Sequence, residues 1–262
     1  MRQAFDVLPH DVADALGLSR TATLSLAPQG MTSEVAFVDD RQPLVLKRCR
    51  DAAYVDWLRR EHRVLLALST TRLPVPHVVG YHERGARDGG GDCWLLMTRL
   101  PGQSLWDVLL GCEASERSRH LHALGTLLRE LHATPAPEAF RHQQPWIERR
   151  LAAAGHNLAW SDGTSALLQQ LNAHRPPTRG ETLIHGDLAL DNVLVEPDGR
   201  MHVIDWSEGD LGDPRYDVAL ALATEPELHL DERDMAAFFA GYGSMSLDPV
   251  TLRWFVDLYE FF

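Results

Sequence analysis

The first third of the chain consists of short apolar runs that alternate with turn-forming residues. The runs TATLSL, SEVAFV and PLVLK are separated by APQGM and DDRQ, which are both typical of turns. Runs of this length and composition predict short strands of an antiparallel sheet. A helix is predicted over about 51–69, with Asp51 at its N-cap, and VPHVVGYHE and CWLLMTRL predict two further strands after it. The pattern therefore indicates a small sheet accompanied by one helix.

From residue 105 onward the pattern becomes mostly helical. Helices are predicted over 115–134, 146–154 and 164–174, and again in DPRYDVALALAT and the last thirty residues. The segment TLIHGDLALDNVLVEPDGRMHVIDW returns to short apolar runs, which predict strands. The predicted fold class is thus α+β, with a small antiparallel sheet and one main helix followed by a mostly helical region.

The composition is that of a globular protein. Of the 262 residues, 45% are hydrophobic and 24% are charged, which excludes disorder, collagen and a coiled coil as the dominant class. Three cysteines, Cys49, Cys93 and Cys112, are too few and too irregularly spaced for a disulfide framework or a zinc site. The first residues do not resemble a signal peptide, and no run of about 18 apolar residues occurs. We therefore expect a cytoplasmic protein with no membrane partner.

The chain is acidic overall, and almost all of its basic residues are arginines. An excess of 37 acidic over 25 basic residues gives a net charge of −12, which argues against a nucleic-acid partner and permits a cationic one. The basic residues comprise 24 arginines and a single lysine, Lys47. Because arginine serves almost everywhere else, the lysine at this position needs a specific reason.

Lys47 ends the apolar run PLVLK, so its stem is flanked by buried positions while its ammonium needs an anion. Glu61 offers one, because its neighbours three and four positions away on the predicted helix are all apolar, namely Trp57, Leu58, Val64 and Leu65. A Lys47–Glu61 pair would satisfy two otherwise costly charges. Alternatively, Lys47 is a solvent-exposed charge and Glu61 snorkels among neighbouring arginines. That alternative does not explain why residue 47 is a lysine and not an arginine. Contact between a compact ammonium and a phosphate oxygen does explain it.

A predicted hairpin near residue 198 places two polar residues close together. Asp198-Gly199 predicts a two-residue turn, and pairing centred there places Asn192 directly opposite Asp205. Opposed side chains on one face lie roughly 5 Å apart, so an amide oxygen and a carboxylate there could hold Mg²⁺. The alternative is that each residue is satisfied by the backbone at a strand end.

Asp187 lies five residues before Asn192, in the loop after TLIHG. A carboxylate there could sit beside the metal without joining its ligands, which is where a base for a hydroxyl proton is needed. An isolated aspartate in a loop is also a common turn residue, and His185 is more often a structural hydrogen-bonding residue than a catalyst.

The combination of HGDLALDN, VIDW and GDPRYDVA resembles the aminoglycoside phosphotransferase family of small-molecule kinases, over nearly the whole chain. This resemblance implies the two-lobed protein-kinase-like fold. It implies a nucleotide-binding lobe over 1–97, a hinge over 98–104, and a catalytic and substrate-binding lobe over 105–262.

The resemblance also implies roles for individual residues. It makes Asp187 the catalytic base, Asn192 and Asp205 the Mg²⁺ ligands, and Lys47, oriented by Glu61, the contact to the α- and β-phosphates. Further residues are implied to bind the nucleotide or to support the loop: Met97 at the back of the adenine pocket, backbone groups of Thr98 and Leu100 at the hinge, amides near Thr32 and Ser33 over the β-phosphate, and Asp217 and His185 as structural support.

Two features bear on the phosphate acceptor. Only seven residues separate Asp205 from Asp213, which leaves no room for the long activation segment of a protein kinase. Residues 206–262 carry 12 acids, Glu208 and Asp210 among them, against three arginines, so a cationic small molecule is favoured. A solvated acidic helix face would give the same count.

The terminal run LRWFVDLYEFF resembles the end of the aminoglycoside 3′-phosphotransferases. This resemblance implies that Glu260 and the terminal carboxylate of Phe262 bind substrate ammonium groups. A last helix packed only for stability is the alternative. The chain departs from those enzymes at Glu208, where they tend to carry arginine, and in a shorter segment before HGD.

The function expected from these observations is an ATP- and Mg²⁺-dependent O-phosphotransferase, with GTP as a possible donor and an aminoglycoside hydroxyl as the leading acceptor. A macrolide, a choline-like alcohol, homoserine or a sugar is the nearest alternative acceptor. A catalytically inactive nucleotide-binding module is the alternative of a different class. The oligomeric state is left open.

Overall fold

The computed structural model describes residues 8–19, 21–27, 32–85, 92–223, 227–245 and 247–262. The chain forms two compact units. The first comprises Met1–Pro101 together with Val203–Glu208, and the second comprises Gly102–His202 and Gly209–Phe262. The first unit therefore includes a short segment that is distant in sequence.

The first unit contains an antiparallel sheet and two helices, in chain order α1 (His10–Leu16), β1 (Thr23–Leu26), β2 (Glu34–Asp39), β3 (Pro43–Cys49), α2 (Ala52–Leu68), β4 (Val78–Arg84) and β5 (Asp92–Thr98). The strand order is β1-β2-β3-β5-β4, so β3 lies in the middle and β5 pairs with it directly. Lys47 on β3 is opposite Val35 on one side and Leu95 on the other. The central strand thus holds the lysine between two paired neighbours.

The predicted strands and the main helix of this unit are confirmed, whereas α1 was not predicted. This helix has seven residues and follows Pro9, which provides no side-chain cap, so it lacks the usual start signal. It ends at Gly17, whose φ of 70° is in the left-handed region that favours glycine. The helix buries Val12 and Leu16 in a cluster with Leu46 and Trp94 of the sheet. Burial against the sheet, rather than local propensity, accounts for it.

The second unit is mostly helical, in chain order β6 (Gln103–Ser104), α3 (Leu105–Gly111), α4 (Ala114–Ala133), α5 (Trp146–Asn157), α6 (Ser165–Ala173), β7 (Thr182–Ile184), β8 (Val193–Val195), β9 (Met201–Val203), β10 (Asp210–Gly212), α7 (Pro214–Leu222), α8 (Glu232–Tyr242) and α9 (Pro249–Tyr259). Short strands form two small sheets, with the orders β6-β8-β9 and β10-β7. A buried aromatic cluster that includes Trp146, Tyr216, Phe255 and Phe261 packs α5, α7 and α9 together. No helix in the described part of the chain combines the length and apolar character needed to cross a membrane.

The hairpin between β8 and β9 differs from the prediction. The N–H of Glu196 donates to the carbonyl of Arg200 (2.8 Å), and that of Gly199 donates to the carbonyl of Glu196 (2.9 Å), so the loop has three residues. Pro197 suits the second position of a type I turn, and Gly199, with φ 89°, supplies the left-handed residue that follows it. The predicted two-residue turn is therefore wrong, and with it the register that made Asn192 and Asp205 a directly opposed pair. Asn192 instead ends a 3₁₀ turn, Leu190–Asn192.

Helices α4 and α8 approach closely at two glycines. A Cβ atom on Gly125 would clash with the backbone carbonyl of Phe238, and one on Gly241 would clash with the backbone carbonyl of His122. The carbonyl of Gly241 also accepts a bond from Arg129 Nη1 at 2.7 Å. Because both neighbours are backbone atoms, an added methyl group can be accommodated only by separating the helices.

Gly125→Ala is therefore expected to lower the free energy of unfolding by about 1–3 kcal/mol, the usual cost of overpacking. Gly111→Ala is the matched control, because no atom lies within 4 Å of a Cβ at the end of α3. There the gain in helix propensity should leave stability unchanged or raise it by up to about 1 kcal/mol. Chemical denaturation of both variants measures the difference, and equal stabilities would contradict the close-packing argument.

Candidate active site

Lys47 is held by two carboxylates in the first unit. Its Nζ lies 2.7 and 2.8 Å from the two carboxylate oxygens of Glu61 on α2, and 3.3 Å from Oδ1 of Asp205. Glu61 is 2% exposed, as its apolar helical neighbours predicted. The Lys47–Glu61 ion pair expected from the sequence is present, and Asp205 extends it to three charges.

Burial and neighbouring charges act in opposite directions in this cluster. Burial disfavours the Lys47 ammonium, but the carboxylates of Asp205 and Glu61 outweigh it and raise the pKa of Lys47. Burial also raises the pKa of Glu61, and the charge of Lys47 opposes that effect. Lys47 therefore remains a cation, fixed on the central strand of the sheet.

Asp205 has an unusual backbone conformation. Its φ of 62° lies in the left-handed region, which is costly for a residue with a side chain. The 3₁₀ turn Trp206–Glu208 follows immediately, and the Trp206 indole N–H donates to the Val203 carbonyl at 3.0 Å. The turn thus holds Asp205 in this conformation, with its carboxylate beside Lys47.

Asp187 is held from two sides in the second unit. The amide nitrogen of Asn192 donates to the Asp187 backbone carbonyl (2.8 Å) and to Oδ2 (3.1 Å). The Tyr259 hydroxyl donates to Oδ1 at 2.6 Å. The loop carboxylate therefore has a defined orientation.

A buried aspartate supports the start of this loop. Asp217 on α7 is fully buried and accepts the backbone N–H groups of His185 (2.7 Å) and Gly186 (2.8 Å). His132 Nε2 lies 3.1 Å from the same carboxylate, and Tyr242 hydrogen-bonds the other ring nitrogen of His132. Although burial opposes ionisation, the bonds from His132 and His185 hold the pKa of Asp217 below its usual value. These contacts fix the backbone immediately before Asp187.

The residues expected to bind the nucleotide lie in the first unit. Met97 is buried on β5, and the N–H of Thr98 donates to the carbonyl of His77 (2.9 Å), so a bond from Thr98 to an adenine would have to use its carbonyl. Leu100 follows the strand. Thr32 and Ser33 directly precede β2, whereas Gly30 of the same loop lies outside the described residues.

The residues expected to bind the acceptor occupy different surroundings. Glu208 lies 3.5 Å from Arg60 Nη1, and the side chain of Glu260 is exposed at the end of α9. The Phe262 ring packs 3.3 Å from the guanidinium carbon of Arg150.

Asp210 is already paired in the structure. It is 3% exposed, accepts from Arg149 Nη1 (2.7 Å), and lies 3.1 Å from His142 Nε2. Arg149 therefore pairs with this buried carboxylate, and a cationic substrate at Asp210 would compete with that pair.

The model of the phosphotransferase enzyme family matches residues 23–255. The chain belongs to this family. The expected membership and the expected α+β, protein-kinase-like fold are both confirmed.

Several relatives of this phosphotransferase-family chain are named for antibiotics. The aminoglycoside 3′-phosphotransferase of Streptomyces fradiae is 29% identical over 238 residues, which cover 81% of this chain and 78% of that protein. Viomycin phosphotransferase of Streptomyces vinaceus is 33% identical over 184 residues, or 65% and 63% of the two proteins. Acyl-CoA dehydrogenase family member 10 of Mus musculus is 30% identical over 174 residues, which cover 62% of this chain but 16% of that protein.

Solved structures share the fold. The crystal structure of an aminoglycoside-3′-phosphotransferase of type VIII matches with a TM-score of 0.74 and 24% identity, over 97% of this chain and all of that one. A macrolide 2′-phosphotransferase from Brachybacterium faecium matches with a TM-score of 0.60 and 20% identity, over 95% of this chain and 86% of that one.

Asn192 in the second unit and Asp205 in the first unit each offer an oxygen donor. Because the amide nitrogen of Asn192 is bonded to Asp187, its oxygen is the atom that can face a metal. The Asp205 side chain is 42% exposed. Both oxygens are of the kind that Mg²⁺ prefers. Among the described residues, no group of three or more His, Cys, Asp and Glu side chains is arranged to hold a metal.

Sequence reasoning missed two features of this phosphotransferase-family site. It assigned no role to Tyr259, although the residue lies beside Glu260, which it did single out. It also missed the partners of Asp210, since Arg149 and His142 are 61 and 68 residues away in the chain. Neither contact has a local signal in the sequence.

Proposed function

We propose that the protein transfers the terminal phosphoryl group of ATP to a hydroxyl of a cationic small molecule, with an aminoglycoside as the first candidate. The observation that carries the proposal is the Lys47 ammonium, bonded to Glu61 and Asp205 at the centre of the sheet. A partly buried ammonium, kept charged by two carboxylates, is suited to contact phosphate oxygens.

The chain's own residues divide the remaining work. Mg²⁺, when bound, would neutralise charge on the phosphates, and Asn192 Oδ1 and the Asp205 carboxylate are the proposed ligands. Asp187 is the proposed base, because a fixed loop carboxylate can accept the proton of an attacking hydroxyl. Asp217 keeps the loop in place through its bonds to two backbone N–H groups.

The names of relatives and the charge of the chain both favour a cationic acceptor. Two relatives are named for cationic antibiotics, the Streptomyces fradiae and Streptomyces vinaceus enzymes. Residues 206–262 carry a charge of −9, from 12 acids and three arginines. Glu260 is exposed, so it can meet an ammonium group, whereas Asp210 is left out because it is buried and paired with Arg149.

A direct assay tests the proposal. Purified protein with Mg²⁺ and either ATP or GTP is offered aminoglycosides, viomycin, macrolides and amino alcohols, and mass spectrometry detects the addition of one phosphoryl group. GTP belongs in the test because aminoglycoside 2′-phosphotransferase-IIIa, which shares the fold, has been solved with GDP. Phosphorylation of an amine-bearing compound that Asp187→Asn abolishes supports the proposal. Nucleotide binding without transfer to any compound favours the inactive binding module instead.

Glu260→Gln is expected to raise the KM for an amine-bearing acceptor by about tenfold while the KM for ATP stays unchanged, because one charge-assisted bond is lost. Glu227→Gln is the matched control, since it removes one acid from the same charged region but lies on a turn before α8. Steady-state kinetics of the two variants decide the question, and equal KM values would show that Glu260 does not contact the acceptor.

A further inference from the structure

The hydroxyl of Tyr259 has a specific relation to the loop carboxylate. It lies 2.6 Å from Oδ1 of Asp187, while the Asn192 amide nitrogen lies 3.1 Å from Oδ2. Each carboxylate oxygen is thus engaged by a donor from a different element, one from α9 and one from the 3₁₀ turn after the loop. Two donors on opposite oxygens restrict rotation of a carboxylate about its last bond, which one donor alone does not.

The segment that carries Tyr259 is itself fixed. The carbonyl of Glu260 accepts from the N–H of Gly163 (2.9 Å), and the carbonyl of Phe261 accepts from the Asn157 side-chain nitrogen (2.9 Å). Phe261 is fully buried, and a Cβ on Gly163 would clash with its ring. The turn after α9 is therefore locked against the connection between α5 and α6, so the Tyr259 hydroxyl has a defined position.

The surroundings also fix the direction of the hydrogen bond. The Tyr259 ring packs against Tyr216, with ring centroids 6.5 Å apart, at the edge of the aromatic cluster. Burial and the Asp187 carboxylate together raise the pKa of Tyr259, so the phenol stays protonated and donates.

We propose that Tyr259 is a positioning residue, whose hydroxyl holds the Asp187 carboxylate in the orientation that receives the proton of the acceptor hydroxyl. This inference rests on the proposed function, in which Asp187 is the base. In that step the acceptor oxygen bonds to the γ-phosphorus, the bond from phosphorus to the bridging oxygen breaks, and ADP leaves. The acceptor proton passes to Asp187, and Tyr259 keeps its own proton throughout.

Tyr259→Phe tests the proposal, because it removes the hydroxyl and keeps the ring in the cluster. We expect kcat to fall about tenfold, since a misoriented base lowers the fraction of productive encounters, while both KM values stay within about twofold. Tyr216→Phe is the matched control. It removes the hydroxyl of another tyrosine in the same cluster, one that accepts from Arg150 at 2.9 Å. We expect kcat within about twofold of the wild type, because the bond that is lost is to Arg150.

Each other result counts against the inference. An unchanged kcat in Tyr259→Phe shows that the hydroxyl does not position the base. A higher kcat with a lower acceptor KM shows that the tyrosine competes with the acceptor for Asp187. In a third outcome, the melting temperature falls, kcat and KM change equally, and Tyr216→Phe shows the same effects. That outcome shows that Tyr259 has a purely structural role.

A second measurement is independent of catalysis. Crystal structures of the wild type and of Tyr259→Phe, at a resolution that defines carboxylate planes, compare the Asp187 side chain directly. We expect a single orientation of the Asp187 carboxylate in the wild type. In the variant we expect a rotated carboxylate or two alternate conformers. An identical orientation in both overturns the inference. If no compound in the acceptor panel is phosphorylated, the proposed function fails, and this comparison still decides whether Tyr259 orients Asp187.

Discussion

Asp187→Asn is expected to lower kcat by about 10²- to 10⁴-fold, the range that general-base catalysis contributes, while the affinity for nucleotide stays nearly unchanged. The substitution keeps the size and shape of the side chain but removes its ability to accept a proton. The bonds between Lys47, Glu61 and Asp205 do not involve the substituted atom, so the cluster proposed to bind phosphate should persist.

The hydrogen bonds around Asp187 make this substitution conservative in structure. An asparagine can turn its oxygen to the Asn192 amide nitrogen and its own nitrogen to the Tyr259 hydroxyl, which can accept as well as donate. The melting temperature should therefore remain close to that of the wild type. The measurements are single-turnover transfer, nucleotide titration and thermal melting. A large loss of nucleotide affinity, or transfer within tenfold of the wild type, would contradict the base assignment.

Lys47→Arg is expected to lower kcat/KM for ATP by at least about tenfold, although the charge is kept, and Lys47→Met by about 10²- to 10³-fold. The Nζ atom fits among three carboxylate oxygens at 2.7, 2.8 and 3.3 Å. A guanidinium is larger and planar, so it cannot occupy this partly buried position and also present a point charge to a phosphate. Both variants should bind ATP more weakly.

Arg48→Lys is the matched control for the two Lys47 variants. It makes the inverse exchange one residue further along β3, on the opposite face of the sheet, where Arg48 pairs with Asp92 at 2.7 Å. We expect kcat/KM for ATP within about twofold of the wild type. Kinetics with ATP as the varied substrate and nucleotide titration check all three variants. Wild-type activity in Lys47→Arg would remove the physical reason for the single lysine.

The elements of the fold were largely predictable because their signals are local. Apolar runs of strand length and helical spacing identified β1 to β5, α2 and α4 to α6. The short helix α1 was missed because it lacks a capping residue. The hairpin register was wrong because Pro197 and Gly199 together favour a three-residue loop, while the prediction weighed only the Asp198-Gly199 pair.

The candidate site was predictable to a different degree in each unit. The Lys47–Glu61 pair followed from residue chemistry, because an isolated lysine and a carboxylate among apolar neighbours each need a partner. The contact of Asp205 with that pair could not be predicted from the sequence. The contact depends on the left-handed backbone conformation of Asp205, which no residue pattern marks. The pairing of Asp210 with Arg149 did not follow either, because the two residues are 61 positions apart in the chain.

The sequence by itself determined the types of the main elements, the family, and which residues carry chemistry that needs explanation. These properties depend on neighbours three or four positions apart, or on residue types that a buried position tolerates only with a partner. Only the tertiary structure decided that the Tyr259 hydroxyl reaches Asp187, across 72 residues of chain. Such a contact is created when the turn after α9 packs against the connection between α5 and α6, and packing at that distance leaves no periodic trace in the sequence.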